Sequence, residues 1–146
     1  MNIALLGYGR MGKSIEAIAL NRNHNITIKA TSSTTTFDFS ETDVAIDFSI
    51  PSTAVNNIKR AIDAGIPVIS GTTGWLEHYD EVLEYCKSNN GTFLYASNFS
   101  LGVNIFFEIN ARLSQLMASV EGYSTDIEEI HHTQKLDAPS GTAITL

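Results

Sequence analysis

His131 and His132, then Lys135, then the run Asp137-Ala138-Pro139-Ser140-Gly141-Thr142-Ala143 gather proton-handling and anion-binding groups into one short stretch. Histidine exchanges protons near neutral pH, and a lysine in the same turn adds either a second proton or a cation for a carboxylate. Adjacent histidines in an extended segment point to opposite faces, so His131 and His132 do not chelate one ion easily, and no metal site is expected. Glu129 shares the face of His131 and is placed to orient it or to support its charged form. The residues from Pro139 to Ala143 read as a loop entering a helix, with Ser140 or Thr142 as cap and Gly141 admitting a close backbone approach. Unpaired N–H groups at such a point suit a carboxylate, although a capping loop without a ligand has the same sequence.

Gly7-Tyr8-Gly9-Arg10-Met11-Gly12, at the other end of the chain, has the G-x-G-x-x-G spacing. It follows an apolar run and opens a helical pattern, the context in which such glycines let a backbone approach a dinucleotide pyrophosphate. Arg10 adds charge to the phosphates or is simply solvated. A carboxylate about 20 positions further on would hold a ribose 2′-hydroxyl. Here that place reads Thr31-Ser32-Ser33. These hydroxyls repel no 2′-phosphate, which tilts the cofactor slightly towards NADPH, and both NADPH and NADH are expected to bind with at most modest preference. Gly71-Thr72-Thr73-Gly74 and Ala96-Ser97-Asn98-Phe99 follow two later strands, at the edge where open α/β sheets bind ligands. The first run also fits a plain turn, and Asn98 either holds a carboxamide or caps the next helix.

The elements that must position these groups alternate. Strands are expected at 2–6, 26–31, 44–48, 66–70 and 92–96, and helices at 13–20, from Pro51 to a stop at Gly65, and around 76–88. Such alternation implies a Rossmann-type parallel sheet with helices on both faces. Beyond Asn98 the rhythm changes to an apolar helix at 103–117, expected to be buried, and a strand-like run at 124–132. The expected organisation is a dinucleotide-binding domain at 1–98 and, at 99–146, the start of an α+β substrate-binding domain. With 146 residues, 43% of them apolar, and a net charge of −7, the chain suits neither nucleic acid nor an anionic membrane. No apolar run approaches the ~20 residues that span a bilayer, and nothing near Met1 has the layout of a secretory signal, so a soluble, cytoplasmic protein is expected. The single cysteine, Cys86, reads as a core-facing helix residue.

The run from Glu129 to Ala143, EIHHTQKLDAPSGTA, closely resembles the signature of the 4-hydroxy-tetrahydrodipicolinate reductase family, also called dihydrodipicolinate reductases. GYGRMG, AIDFS, GTTG and ASNFSLGVN appear in the family's order, so the resemblance spans essentially the whole chain. It implies that a nicotinamide reduces a cyclic unsaturated imine dicarboxylate in lysine and diaminopimelate biosynthesis. His131 would be the proton donor and acceptor, Lys135 a second donor, and His132 with Ser140, Gly141 and Thr142 the substrate-carboxylate site. The cofactor would touch Gly7, Tyr8, Gly9, Arg10, Met11, Gly12, Gly71, Thr72, Thr73, Ala96, Ser97, Asn98 and Phe99, with Phe48, Ser49 and Ser32 beside it. Many relatives carry an acidic residue where this chain has Thr31-Ser32. Family members also continue well beyond PSGTA, through a substrate-domain sheet that makes homotetramer contacts. This chain therefore reads as an amino-terminal portion, expected to bind cofactor but to turn substrate over poorly. The competing readings are a non-catalytic nucleotide-binding fragment and another two-domain NAD(P)-dependent dehydrogenase.

Overall fold

The computed structural model describes residues 1–131, 133 and 138–146. The chain divides into two compact units, Met1–Ala96 and Ser97–Leu146.

The first unit is a five-stranded parallel sheet in the order β2-β1-β3-β4-β5. Its elements are β1 (Asn2–Leu6), α1 (Arg10–Asn21), β2 (Asn25–Ala30), β3 (Val44–Asp47), α2 (Pro51–Asp63), β4 (Val68–Ser70), a 3₁₀ turn (Leu76–His78), α3 (Tyr79–Ser88) and β5 (Phe93–Tyr95). Strand β1 is apolar from Ile3 to Leu6, all buried, because it is covered on both sides. Ala4 and Leu6 pack with Ala54, Ile58 and Ala61 of α2 and with Val82 and Cys86 of α3. Ile3 and Leu5 point the other way and pack with Ile15 and Ala19 of α1. Cys86 is a free, buried thiol in this core.

Helix α2 begins with Pro51 at its first position, where a missing N–H costs nothing. It stops at Gly65, whose φ of +72° is left-handed. Gly65 N–H donates to Ile62 O and Ile66 N–H to Ala61 O, which together absorb carbonyls the helix would otherwise leave open. Asn23 and Asn90, also at positive φ, close α1 and α3 through the same pair of bonds. All three helices are thereby turned back towards the next strand.

The second unit contains α4 (Leu101–Met117) and α5 (Gly141–Thr145). Two expectations are corrected here. Helix α4 has no buried residue: Leu101, Ile105, Phe106, Ile109, Leu113 and Leu116 are all more than half exposed. Residues 124–131 form no strand and are exposed along their length. Alternating side chains make a strand only where a neighbour completes the hydrogen-bond ladder, and among the described residues of this unit none does. Likewise, an apolar helix face is buried only where another layer covers it. Among the described residues no helix is long and apolar enough to cross a membrane, and no cluster of His, Cys, Asp and Glu could hold a metal ion.

Candidate functional site

In the sheet, the chain passes from β1 to β2 on one side and then to β3 on the other. The strand order therefore reverses beside β1, and a crevice opens beyond the carboxyl ends of β1 and β3. A cleft of about 500 Å³ lies there, walled by the glycine turn, the loop after β2, the Phe48-Ser49 corner and one side of α2.

The three glycines have separate reasons. Gly7 sits at φ +108°, and a Cβ there would lie 2.1 Å from Phe48 O, so neither the conformation nor the contact admits a side chain. Its N–H and that of Tyr8 donate to Ala30 O at 3.2 and 2.7 Å, tying the turn to the end of β2. Gly12, buried in α1, would bring a Cβ to 2.3 Å from Gly7 O, so its bareness lets the helix start close to the turn. Gly9, the residue before α1, has open space where a Cβ would be. A bare backbone facing open space at a helix start is what a pyrophosphate requires, so these residues fit a dinucleotide. Arg10 and Met11 begin α1 and are exposed, while the Tyr8 hydroxyl donates to Glu16. The Lys29 ammonium and then the Tyr8 hydroxyl hold the Glu16 carboxyl below its ordinary range.

Phe48 connects two motifs that are far apart in sequence. Its carbonyl blocks the Gly7 position, and its ring blocks the Gly71 position, where a Cβ would meet Cε1 at 2.2 Å.

Beneath this corner lies Asp47, fully buried at the end of β3. Oδ1 accepts from Ser49 Oγ at 2.7 Å and Asn57 Nδ2 at 3.0 Å, and Oδ2 from Thr72 Oγ1 at 2.6 Å and Ser70 Oγ at 3.0 Å. Thr72 Oγ1 in turn accepts from Ser49 N–H at 2.8 Å. Four donors compensate a carboxylate that has lost its water. They also lock the cleft wall (Ser49, Asn57) to the loop after β4 (Thr72). In the sequence Asp47 stands only as one letter of the AIDFS run. The available signal was an acid closing an apolar strand, with hydroxyls following it and the next strand. Thr73 is half-buried beside Thr72, and Ser32 stands exposed at the cleft rim.

Ala96 ends the first unit, whereas Ser97, Asn98 and Phe99 belong to the second. There Asn98 Oδ1 accepts from Ser100 N–H at 2.8 Å, and Ser100, not Asn98, caps α4. Ser97 Oγ lies 3.3 Å from Thr145 Oγ1.

The second unit also brings Glu129, His131 and Ser140 together. One Glu129 oxygen is 2.9 Å from His131 Nε2, and the other accepts from Ser140 N–H at 2.9 Å. Hydrogen bonding from Ser140, then from His131, holds the Glu129 carboxyl at about 2, against an ordinary 4.5. Ser140 is buried and caps α5, its Oγ accepting from Ala143 N–H at 3.0 Å, while Gly141 and Thr142 form the first turn. His132 and Lys135 lie outside the described residues.

Family comparison adds two matches: residues 23–99 to the description "Dihydrodipicolinate reductase, N-terminus", and residues 102–146 to "Dihydrodipicolinate reductase, C-terminus". The chain belongs to the dihydrodipicolinate reductase family. Among relatives, the 4-hydroxy-tetrahydrodipicolinate reductase of Christiangramia forsetii is 58% identical over all of this chain and 62% of its own length. That of Stenotrophomonas maltophilia is 44% identical over 71% of this chain and 42% of its own. This dihydrodipicolinate reductase family chain thus spans less than two thirds of the length of these relatives. A hyperthermophilic archaeal homoserine dehydrogenase in complex with NADPH aligns with a TM-score of 0.50 at 17% identity, covering 64% of this chain and 43% of that one, a likeness of fold.

Proposed function

We propose that this chain carries the dinucleotide cleft and the proton-handling residues of a reductase that converts 4-hydroxy-tetrahydrodipicolinate to tetrahydrodipicolinate. The observation behind the reading is the cradle at Gly7, Gly9 and Gly12, built where the strand order reverses, in a chain whose second unit holds His131 on a carboxylate. When bound, a dihydronicotinamide supplies a hydride. Gly7 to Gly12 would receive the pyrophosphate, and Phe48, Ser49 and the Gly71-Thr72-Thr73 loop would shape the wall towards the nicotinamide; the family signature adds Ala96 to Phe99 to the cofactor contacts. Going from 4-hydroxy-tetrahydrodipicolinate to tetrahydrodipicolinate exchanges the 4-hydroxyl for hydrogen: the hydroxyl leaves as water to give the conjugated unsaturated imine, the hydride adds at ring carbon 4, and the resulting ring enamine takes one proton to restore the C=N bond. We assign delivery of that proton to His131, with Glu129 keeping the imidazole oriented. Lys135 is the second proton donor, and His132 with Ser140, Gly141 and Thr142 holds a substrate carboxylate; these roles rest on the family signature. The cofactor is NADPH or NADH, and a homotetramer is the expected assembly at the length of the relatives.

The test is oxidation of NADPH and NADH with freshly generated substrate, by this chain and by a chimera continued with the remaining part of the Christiangramia relative. Substrate-dependent oxidation by the chimera is expected. His131→Ala and Lys135→Ala should each lower kcat by about 100-fold or more, in the range of general acid catalysis, with cofactor affinity little changed. Absence of any substrate-dependent oxidation contradicts the reading.

A further inference from the structure

The loop after β2 carries no arginine, yet the fold brings one to it. Arg60, on α2, lines the same cleft as Gly7, Gly9 and Ser32. Its guanidinium carbon lies 4.0 Å from the centre of the Phe37 ring, and one N–H donates to Thr35 O at 3.2 Å. Both contacts fix the group against the Thr/Ser-rich loop, and a guanidinium has further N–H donors to offer. Among the described residues no carboxylate lines the cleft, and none forms an ion pair with Arg60. In a chain of net charge −7, this is a local site for an anion.

Three of the loop hydroxyls, those of Thr31, Ser33 and Thr34, are engaged with one another. Thr31 Oγ1 lies 2.8 Å from Ser33 Oγ, and Thr34 Oγ1 accepts from Thr31 N–H at 3.0 Å. They shape the turn, which leaves Arg60 as the charged group beside it. In a doubly wound sheet the end of β2 is where the adenosine ribose is read, by a carboxylate for a 2′-hydroxyl or by a nearby arginine for a 2′-phosphate. Resting on the dinucleotide reading above, we propose that Arg60 is the specificity-determining residue of the cleft: it receives the 2′-phosphate of NADPH and sets a preference for NADPH over NADH.

The experiment is calorimetric titration of the 146-residue chain with NADPH and NADH, for the wild type, Arg60→Leu and Arg60→Lys. Thermal unfolding of each variant is followed alongside, since Arg60 also braces the loop. The wild type should bind NADPH at least tenfold more tightly. In Arg60→Leu, NADPH should lose at least tenfold more affinity than NADH, and Arg60→Lys should recover part of the difference, because it keeps the charge without the planar fork. The wild-type preference should shrink as salt rises. Equal binding of the two cofactors by the wild type, or an equal loss of both in Arg60→Leu, overturns this assignment and leaves the dinucleotide reading intact. Binding of neither by the wild type overturns both.

Discussion

Asp47 in the first unit and Glu129 in the second are carboxylates that gather polar neighbours, and they do so under opposite conditions. Asp47 is fully buried and draws its donors from α2, from the end of β4 and from the loops after β3 and β4. Glu129 is exposed and draws on His131 and Ser140, both close in sequence. A buried hub reached by long-range contacts forms only once the sheet has formed, so it shares in the stability of the fold. An exposed local cluster orients a side chain without carrying the fold, since water replaces whatever bond is lost. The cleft in the first unit is therefore a property of its packed core, whereas the His131 site is a local arrangement of one segment.

The largest expected effect follows from the buried hub. Asp47→Ala leaves four donors without their acceptor, and with each unsatisfied buried group costing roughly 1–3 kcal/mol and some relief from entering water, a loss of about 4 kcal/mol is expected. The single tryptophan, Trp75, is 1% exposed, so its fluorescence during urea unfolding reports the change. Stability within experimental error of the wild type would show that the network contributes nothing to the fold.

Gly7→Ala comes next. The left-handed backbone and the contact with Phe48 O should together cost roughly 2 kcal/mol or more and distort the turn proposed to receive the dinucleotide. Gly9→Ala sharpens the point, because its Cβ enters open space: stability should change by no more than about 0.5 kcal/mol, while dinucleotide affinity falls. Equal loss of stability in both variants would mean that the turn is not built as described.

The smallest effect on the fold is expected at Glu129. Glu129→Gln should lower the urea midpoint far less than Asp47→Ala does and act mainly on the chemistry, lowering turnover of the chimera by weakening the hold on the His131 ring. The folded-state value of about 2 lies below the ordinary 4.5. Any stabilisation from the ionised carboxyl is thus complete above about pH 4.5 and is lost as pH falls towards 2. A carboxyl ¹³C titration of Glu129 should show no midpoint near 4.5; finding one there would remove the pairing with Ser140 and His131.

Much of the first unit was legible because its signals are local. Glycine spacing after an apolar strand, Pro51 at a helix start and Gly65 at its end each depend on a few neighbouring residues. The same helix closure by Asn23 and Asn90 went unread because asparagine serves many other purposes on a surface. Asp47 and Arg60 were not legible as organisers, since their importance lies in partners supplied by other elements. In the second unit the alternating pattern at 124–131 and the apolar pattern of α4 call for neighbours that the described residues do not provide. Pattern shows which face would be buried, and only tertiary contact buries it.

The central claim is that the crevice between β1 and β3 is a dinucleotide site built by the first unit. Titration of the isotopically labelled chain with NADPH, followed through backbone amide shifts, tests it most directly. Saturable shifts centred on Gly7, Gly9, Ser32, Phe48, Ser49 and Thr72 are expected. Saturable shifts confined to residues outside that crevice, or no shifts at millimolar cofactor, would contradict it.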